Sequence, residues 1–250
     1  MYDRMTIYFL CNDCIWGVNT MSDSVNEFEI TAYKNGSVNI FKEINQLLDI
    51  LKVKKNGLVY KMSSRLYVMI DDPNYTKRKI EFKIKDRTIM YRFLSKIRID
   101  NGVVTHYIEE KTKWQHINMF PIKNIYSVIA VYYKDKIYTD ITYNNQIRLV
   151  VENYWSAQEL ENDSNTGIAY VEIECQSAFE TTKQKEFESA FSSAGWRLLD
   201  YAHSKKQLAA VTMQQRVFDC FTYEDLRKYL CQLFLKAYIA IDINETNLLY

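Results

Sequence analysis

Ala169-Tyr170-Val171-Glu172-Ile173-Glu174-Cys175 alternates apolar and acidic side chains. That alternation predicts a β-strand with Glu172 and Glu174 on one face and Val171 and Ile173 on the other. Two carboxylates on a shared face are costly to bury unless a cation lies between them. A second stretch, Asn26-Glu27-Phe28-Glu29-Ile30-Thr31, spaces Glu27 and Glu29 in the same way. Four carboxylates from two strands make an oxygen-rich cage of the kind that holds Mg²⁺ or Mn²⁺. The competing reading is a solvated sheet face. Glu-x-Glu is common, and Glu159/Glu161 and Glu186/Glu188 match it in a polar loop and in a helix-like run.

The 250 residues suffice for one large domain or two small ones. Lys+Arg 32 against Asp+Glu 31 gives a net charge of +1, so no global field announces nucleic acid. Gly 6 and Pro 2 argue against a loop-rich chain. Five cysteines at irregular spacing speak against a disulfide framework and for a reducing compartment. Cys11-x-x-Cys14 is half a zinc motif without a second pair, and His106, His116 and His203 lack ligand spacing. No apolar run approaches a membrane span and no signal sequence opens the chain. The expectation is a soluble intracellular protein with no membrane partner.

Residues 1–20 differ in pattern from the rest of the chain. They read as an N-terminal extension before a single domain over 21–250. After the first acidic strand, Asn35-Gly36 marks a turn and Ser37 is placed to cap a helix over 39–52. Period-two stretches then recur to about residue 152, including 65–70, 79–85, 97–99, 103–113, 125–133, 137–143 and 147–152. Residues 156–167 read as a polar loop, 178–194 as a helix ended by Gly195, and 196–202 with 207–212 as a last hairpin. Thr222 and Asp225 open a C-terminal helix over 223–240. The class is α+β, with an antiparallel meander or closed barrel and flanking helices.

Charges recur inside these strands: Arg65, Lys79, Glu81, Lys83, Arg98, Glu109, Lys111, Lys134, Lys136, Arg148 and Glu152. If the sheet closes, a lumen lined by both signs suits a polyphosphate on Lys and Arg beside a metal on carboxylates. Together with the two acidic motifs, this pattern resembles the triphosphate tunnel metalloenzymes over about residues 24–176. The likeness is to their viral RNA 5′-triphosphatase branch, in particular the amino-terminal part of the baculovirus capping enzyme.

The resemblance implies an eight-stranded antiparallel β-tunnel. It implies metal ligation by Glu27, Glu29, Glu172 and Glu174 with Mg²⁺ or Mn²⁺. Arg65, Arg98, Lys111, Lys136 and Arg148 then bind phosphates. Glu109 or Glu110, a one-residue register choice, and Glu152 fall to catalysis. The implied substrate is a 5′-triphosphate RNA end or a nucleoside triphosphate. A guanylyltransferase or RNA polymerase subunit is the implied partner, since the chain carries no guanylyltransferase lysine motif beyond this region. Tyr170 stands where the branch has a basic residue, and Thr31 follows Glu29 where the wider family has lysine two residues on. A non-catalytic interaction module docking through 223–240 is the alternative class.

Overall fold

The computed structural model describes residues 10–11, 14–15, 23–24, 28–72, 74–75, 77–100, 105–121, 127–141, 147–162, 167–175, 180–199 and 222–246. Eight long strands carry the architecture: β1 (Phe28–Asn35), β2 (Lys61–Asp71), β3 (Lys77–Lys85), β4 (Thr88–Asp100), β5 (Thr105–Lys111), β6 (Ser127–Asp140), β7 (Ile147–Ser156) and β8 (Ile168–Cys175). Helices α1 (Ile40–Ile50), α2 (Ala157–Glu161), α3 (Thr181–Ser193) and α4 (Tyr223–Thr246) flank them. Every strand pairing is antiparallel, in the order β1-β8-β7-β6-β2-β3-β4-β5.

This sheet is not the closed eight-stranded barrel expected. Among the described residues its hydrogen-bonded path holds ten strands, and the two end strands do not pair with each other. The reason lies at the two edges that closure would join. Arg197–Leu198 takes the outer edge of β1, opposite Tyr33 and Ala32. Asp23–Ser24 takes the outer edge of β5, opposite Glu109 and Ile108. The chain nevertheless ties the ends together. Ser24 sits against β5, and Phe28, four residues on, sits against β8. Four extended residues reach no more than about 14 Å, so the sheet must curl until its ends nearly meet.

Register sorts the side chains into two faces, because cross-strand partners share a side. The first face is apolar and wears the helices. Leu66, Val68, Ile80, Phe82 and Trp155 pack with Leu226, Leu230, Leu233 and Phe234 of α4. Ile30, Leu149, Val151, Val171 and Ile173 pack with Ile44, Leu47 and Leu48 of α1 and Phe187 and Phe191 of α3. The α1 stripe at Ile40, Ile44, Leu47 and Leu48 has helical spacing and explains why this segment lies on the sheet. The second face carries the charges.

Several local expectations are corrected. Asn39, not Ser37, caps α1: its Oδ1 accepts from the Lys42 N–H at 2.9 Å. The strands expected over 125–133 and 137–143 are replaced by one strand, β6, over Ser127–Asp140, whose Lys134-Asp-Lys136 centre keeps the alternation, and 125–126 and 142–143 lie outside the described residues. The polar stretch after β7 is helical at its start, because Ser156 and Glu159 form a reciprocal capping box. α4 runs on to Thr246, beyond the expected 240, and is capped by Thr222 and Asp225. Arg197–Leu198 pairs with β1, and residues 207–212 lie outside the described residues. Within 1–20, Leu10–Cys11 and Cys14–Ile15 form a separate two-stranded piece, and the rest lies outside the described residues.

Candidate metal and phosphate site

β1 and β8 lie side by side with Glu29 opposite Glu174 and Thr31 opposite Glu172. Glu29, Glu172 and Glu174 thereby converge: one carboxylate oxygen from each lies within 4.8 Å of the others. Glu172 is 4% exposed, Glu174 is half-buried and Glu29 is open to solvent. Three like charges at this separation repel one another, and a hard divalent cation taking oxygen ligands offsets that repulsion. The donor set therefore fits Mg²⁺ or Mn²⁺. Glu27 lies outside the described residues.

Cations line the same face next to the carboxylates. Arg148, opposite Glu174, reaches its Oε2 with Nη1 at 3.4 Å, and its Nε donates to Asp140 Oδ1 at 2.9 Å. Burial works against the Arg148 charge, but Asp140 and then Glu174 outweigh it and hold the guanidinium above its usual range. Lys136 stands 3.7 Å from Glu174 Oε1. One register step further in, Lys134 pairs with Glu152 and donates to the Tyr154 hydroxyl at 2.9 Å. Glu152 is 0% exposed, and the lysine is its ion-pair partner in that closed position. Arg65 and Arg92 converge on Glu81, 2% exposed, at 3.2 and 2.5 Å from its Oε2.

The charged face is not uniformly solvated. A solvated sheet face would leave Glu81, Glu152 and Glu172 in water. Here all three are nearly closed off, on the side opposite the apolar cores, while Glu29 and Lys111 on the same face are exposed. Aromatic rings complete the lining. Tyr67, Tyr132 and Tyr154 stack across β2, β6 and β7 with centroids 5.1 and 5.4 Å apart, and Tyr170 on β8 meets Tyr154 edge-on at 5.3 Å. Burial, with Glu81 beside Tyr67 and Glu152 beside Tyr154, pushes both phenols above their usual range.

Of the remaining expected site residues, Glu109 falls on the charged face opposite Lys96 and pairs with Lys111 at 3.0 Å. Glu110 is one residue on and therefore falls on the other face, opposite the buried Ser95. That parity corrects its place among the catalytic candidates. Arg98 stands opposite Tyr107 in the β4–β5 register, and its side chain lies outside the described residues. Reading the sequence names Glu81 and Lys134 only as lumen charges without a role, and misses Arg92 and Trp114. Counting alternation through 88–100 as one strand would have put Arg92 beside Glu81. No sequence pattern points to Trp114, which lies between strands and comes within 4.0 Å of Lys83, 4.5 Å of Arg92 and 5.5 Å of Arg65.

No protein-family model matches the chain, and no curated protein matches it. Among solved structures the chain is similar to the PH1012 protein from Pyrococcus horikoshii OT3, with a TM-score of 0.40 and 14% identity over 75% of this chain and 100% of that one. It is similar to the RNA triphosphatase domain of a trifunctional mimivirus mRNA capping enzyme, at 0.37 and 14% over 68% and 88%. It is also similar to the S. pombe Pct1 RNA triphosphatase solved in complex with the Spt5 CTD, at 0.33 and 12% over 68% and 74%. These likenesses are loose, and the functional reading rests on the site itself. Among the described residues no helix is long and apolar enough to cross a membrane.

Proposed function

We propose that the protein is a metal-dependent RNA 5′-triphosphatase that removes the terminal phosphate of a triphosphorylated RNA end, the first step of mRNA capping. The observation that carries this is the convergence of Glu29, Glu172 and Glu174 on a sheet face that also holds Lys136, Arg148, Arg65 and Arg92. Glu29, Glu172 and Glu174 would hold a divalent cation, which when bound would supply charge neutralisation at the terminal phosphate oxygens. Arg148 and Lys136, already within reach of Glu174, bind the phosphates nearest the carboxylates. Arg65 and Arg92 bind from the β2–β4 side. Glu109 orients the attacking water and takes its proton, and the buried Glu152 serves by pairing with Lys134 and fixing its position. Water oxygen bonds to the terminal phosphorus as its bond to the bridging oxygen breaks, leaving inorganic phosphate and a diphosphate end.

In this reading a guanylyltransferase or RNA polymerase subunit would act on the diphosphate end that the reaction leaves. The test is phosphate release from γ-labelled triphosphate RNA, from a nucleoside triphosphate and from inorganic tripolyphosphate, with Mn²⁺ or Mg²⁺. Release from RNA that disappears in Glu174→Gln supports the reading. Release from the small triphosphates alone makes the protein a nucleotide or inorganic triphosphatase. Silence with all three substrates refutes the enzyme and leaves an interaction module, for which Leu235 and Tyr238 on the exposed side of α4 are the available apolar surface.

A further inference from the structure

The whole chain carries a net charge of +1, but its charge is not evenly spread. Residues 77–100 hold nine Lys and Arg against three acids, Glu81, Asp86 and Asp100, a net +6 that leaves −5 for everything else. This segment is the β3–β4 hairpin. Its turn at Asp86-Arg87 has φ of 49° and 60°, left-handed at two non-glycine residues, as a tight hairpin turn requires.

The tip stands away from the sheet. β2 pairs with β3 only from Leu66–Phe82 to Ile70–Arg78, so Lys83, Ile84 and Lys85 pair with β4 alone. Ile84 is accordingly 40% exposed on the side that elsewhere is core, and Lys85 and Arg87 are exposed as well. Among the described residues Lys83, Lys85 and Arg87 have no carboxylate within ion-pair distance. Glu81 is taken by Arg65 and Arg92. At the base of the tip, the Trp114 ring lies 4.0 Å from the Lys83 ammonium. Burial, then repulsion from Arg65, Lys85 and Arg92, lowers the Lys83 pKa, so an anion arriving there relieves a standing cost.

Projecting cations with an aromatic ring among them, continuous with the charged face through Lys83 and Arg65, are the means by which proteins hold single-stranded nucleic acid without reading its sequence. We infer that the β3–β4 hairpin tip is a binding surface for the RNA chain downstream of its triphosphorylated end. The inference rests on the triphosphatase reading for its orientation, but its test needs no triphosphate. An acidic protein segment would use the charges without the ring, and the test separates the two.

The experiment measures fluorescence anisotropy of a labelled 5′-hydroxyl RNA of about 12 nucleotides with EDTA present, across a salt series. Wild type should bind, and Lys85→Gln/Arg87→Gln should bind more weakly. Each lost phosphate contact removes about 0.7 from the slope of log affinity against log salt. Two contacts remove about 1.4, which is about 25-fold in affinity near 0.1 M salt. Tripolyphosphate hydrolysis and the melting temperature of the variant should stay at wild-type values. Equal affinity of wild type and variant, no binding at low salt, or displacement of the RNA by a polyglutamate peptide at matching concentration would each overturn the inference. Absence of phosphate release with RNA binding intact would count against the triphosphatase reading only.

Discussion

Glu172→Gln separates a metal centre from a structural acid cluster without any activity assay. The carboxylate oxygens of Glu29, Glu172 and Glu174 lie within 4.8 Å of one another. Two unit charges at that distance repel by about 1 kcal/mol in water and by about 3.5 kcal/mol at an effective dielectric near 20. Glu172 takes part in two such pairs. Arg148 and Lys136 lean on Glu174, and the exposure of Glu29 screens its share, so the net relief on neutralising Glu172 is about 1–2 kcal/mol. Glutamine keeps the volume of the buried side chain, so packing is unchanged. For a chain of this size each kcal/mol moves the melting temperature by about 2–4 °C. The metal-free variant should therefore melt roughly 2–8 °C above wild type. Mn²⁺ at about a hundred times its dissociation constant stabilises the wild type by about 2.7 kcal/mol, roughly 5–10 °C. The variant should lose most of that shift. Differential scanning calorimetry with and without Mn²⁺ reads both quantities. A variant that melts lower without metal and keeps the full metal shift would refute the reasoning.

Single contacts carry further expectations. Glu152→Gln strands Lys134 in a closed site and should cost about 3–5 kcal/mol in urea unfolding, whereas Glu152→Leu with Lys134→Met should recover most of it. Gly167→Ala puts a Cβ 2.8 Å from Trp155 Nε1 and 2.9 Å from the Tyr154 carbonyl at a φ of 48°, so its melting temperature should fall, by about 2–4 °C for each kcal/mol lost. Lys136→Ala should raise KM for triphosphate more than it lowers kcat, since a ground-state phosphate contact is lost. The Thr222 hydroxyl, then the Thr222 N–H, hold the Asp225 carboxyl below its usual pKa. A depressed folded pKa gives stability above the unfolded value that is lost as pH falls through the folded one. Asp225→Asn should therefore flatten the acid limb of the stability profile below about pH 4, measured by thermal melts in steps of pH.

What the chain revealed in advance was what alternation can encode. Glu172/Glu174 on one side and Val171/Ile173 on the other come from a period of two, and β1 beside β8 places Glu29 where that pattern needs it. The helices α1 and α4 were visible in their apolar stripes. The β3–β4 turn was hidden because Asp86 and Arg87 hold left-handed backbone without a glycine to signal it. Missing it concealed most of β4 and with it Arg92. Parity puts Glu109 and Glu110 on opposite faces once the register is fixed, and register is a long-range property that no local window contains. Closure failed as an expectation for the same reason. The strands that cap both edges are two residues long and carry no period at all.

The pairing of β1 with β8 also sets the order in which the molecule can assemble. Glu29 and Glu174 face each other across 145 residues of chain. At about 5–20 residues per second, synthesis delivers the partner strand roughly 7–30 s after Phe28–Asn35 has been made. Until then β1 has neither Arg197–Leu198 nor β8 on its edges, and α1, which comes directly after it, lacks the β7 and β8 side chains that bury it. The hairpins β3–β4 and β6–β7 close locally and can form early. The carboxylate cluster is thus among the last features to appear, and a nascent chain stalled before residue 168 holds the cationic walls without the glutamates of β8.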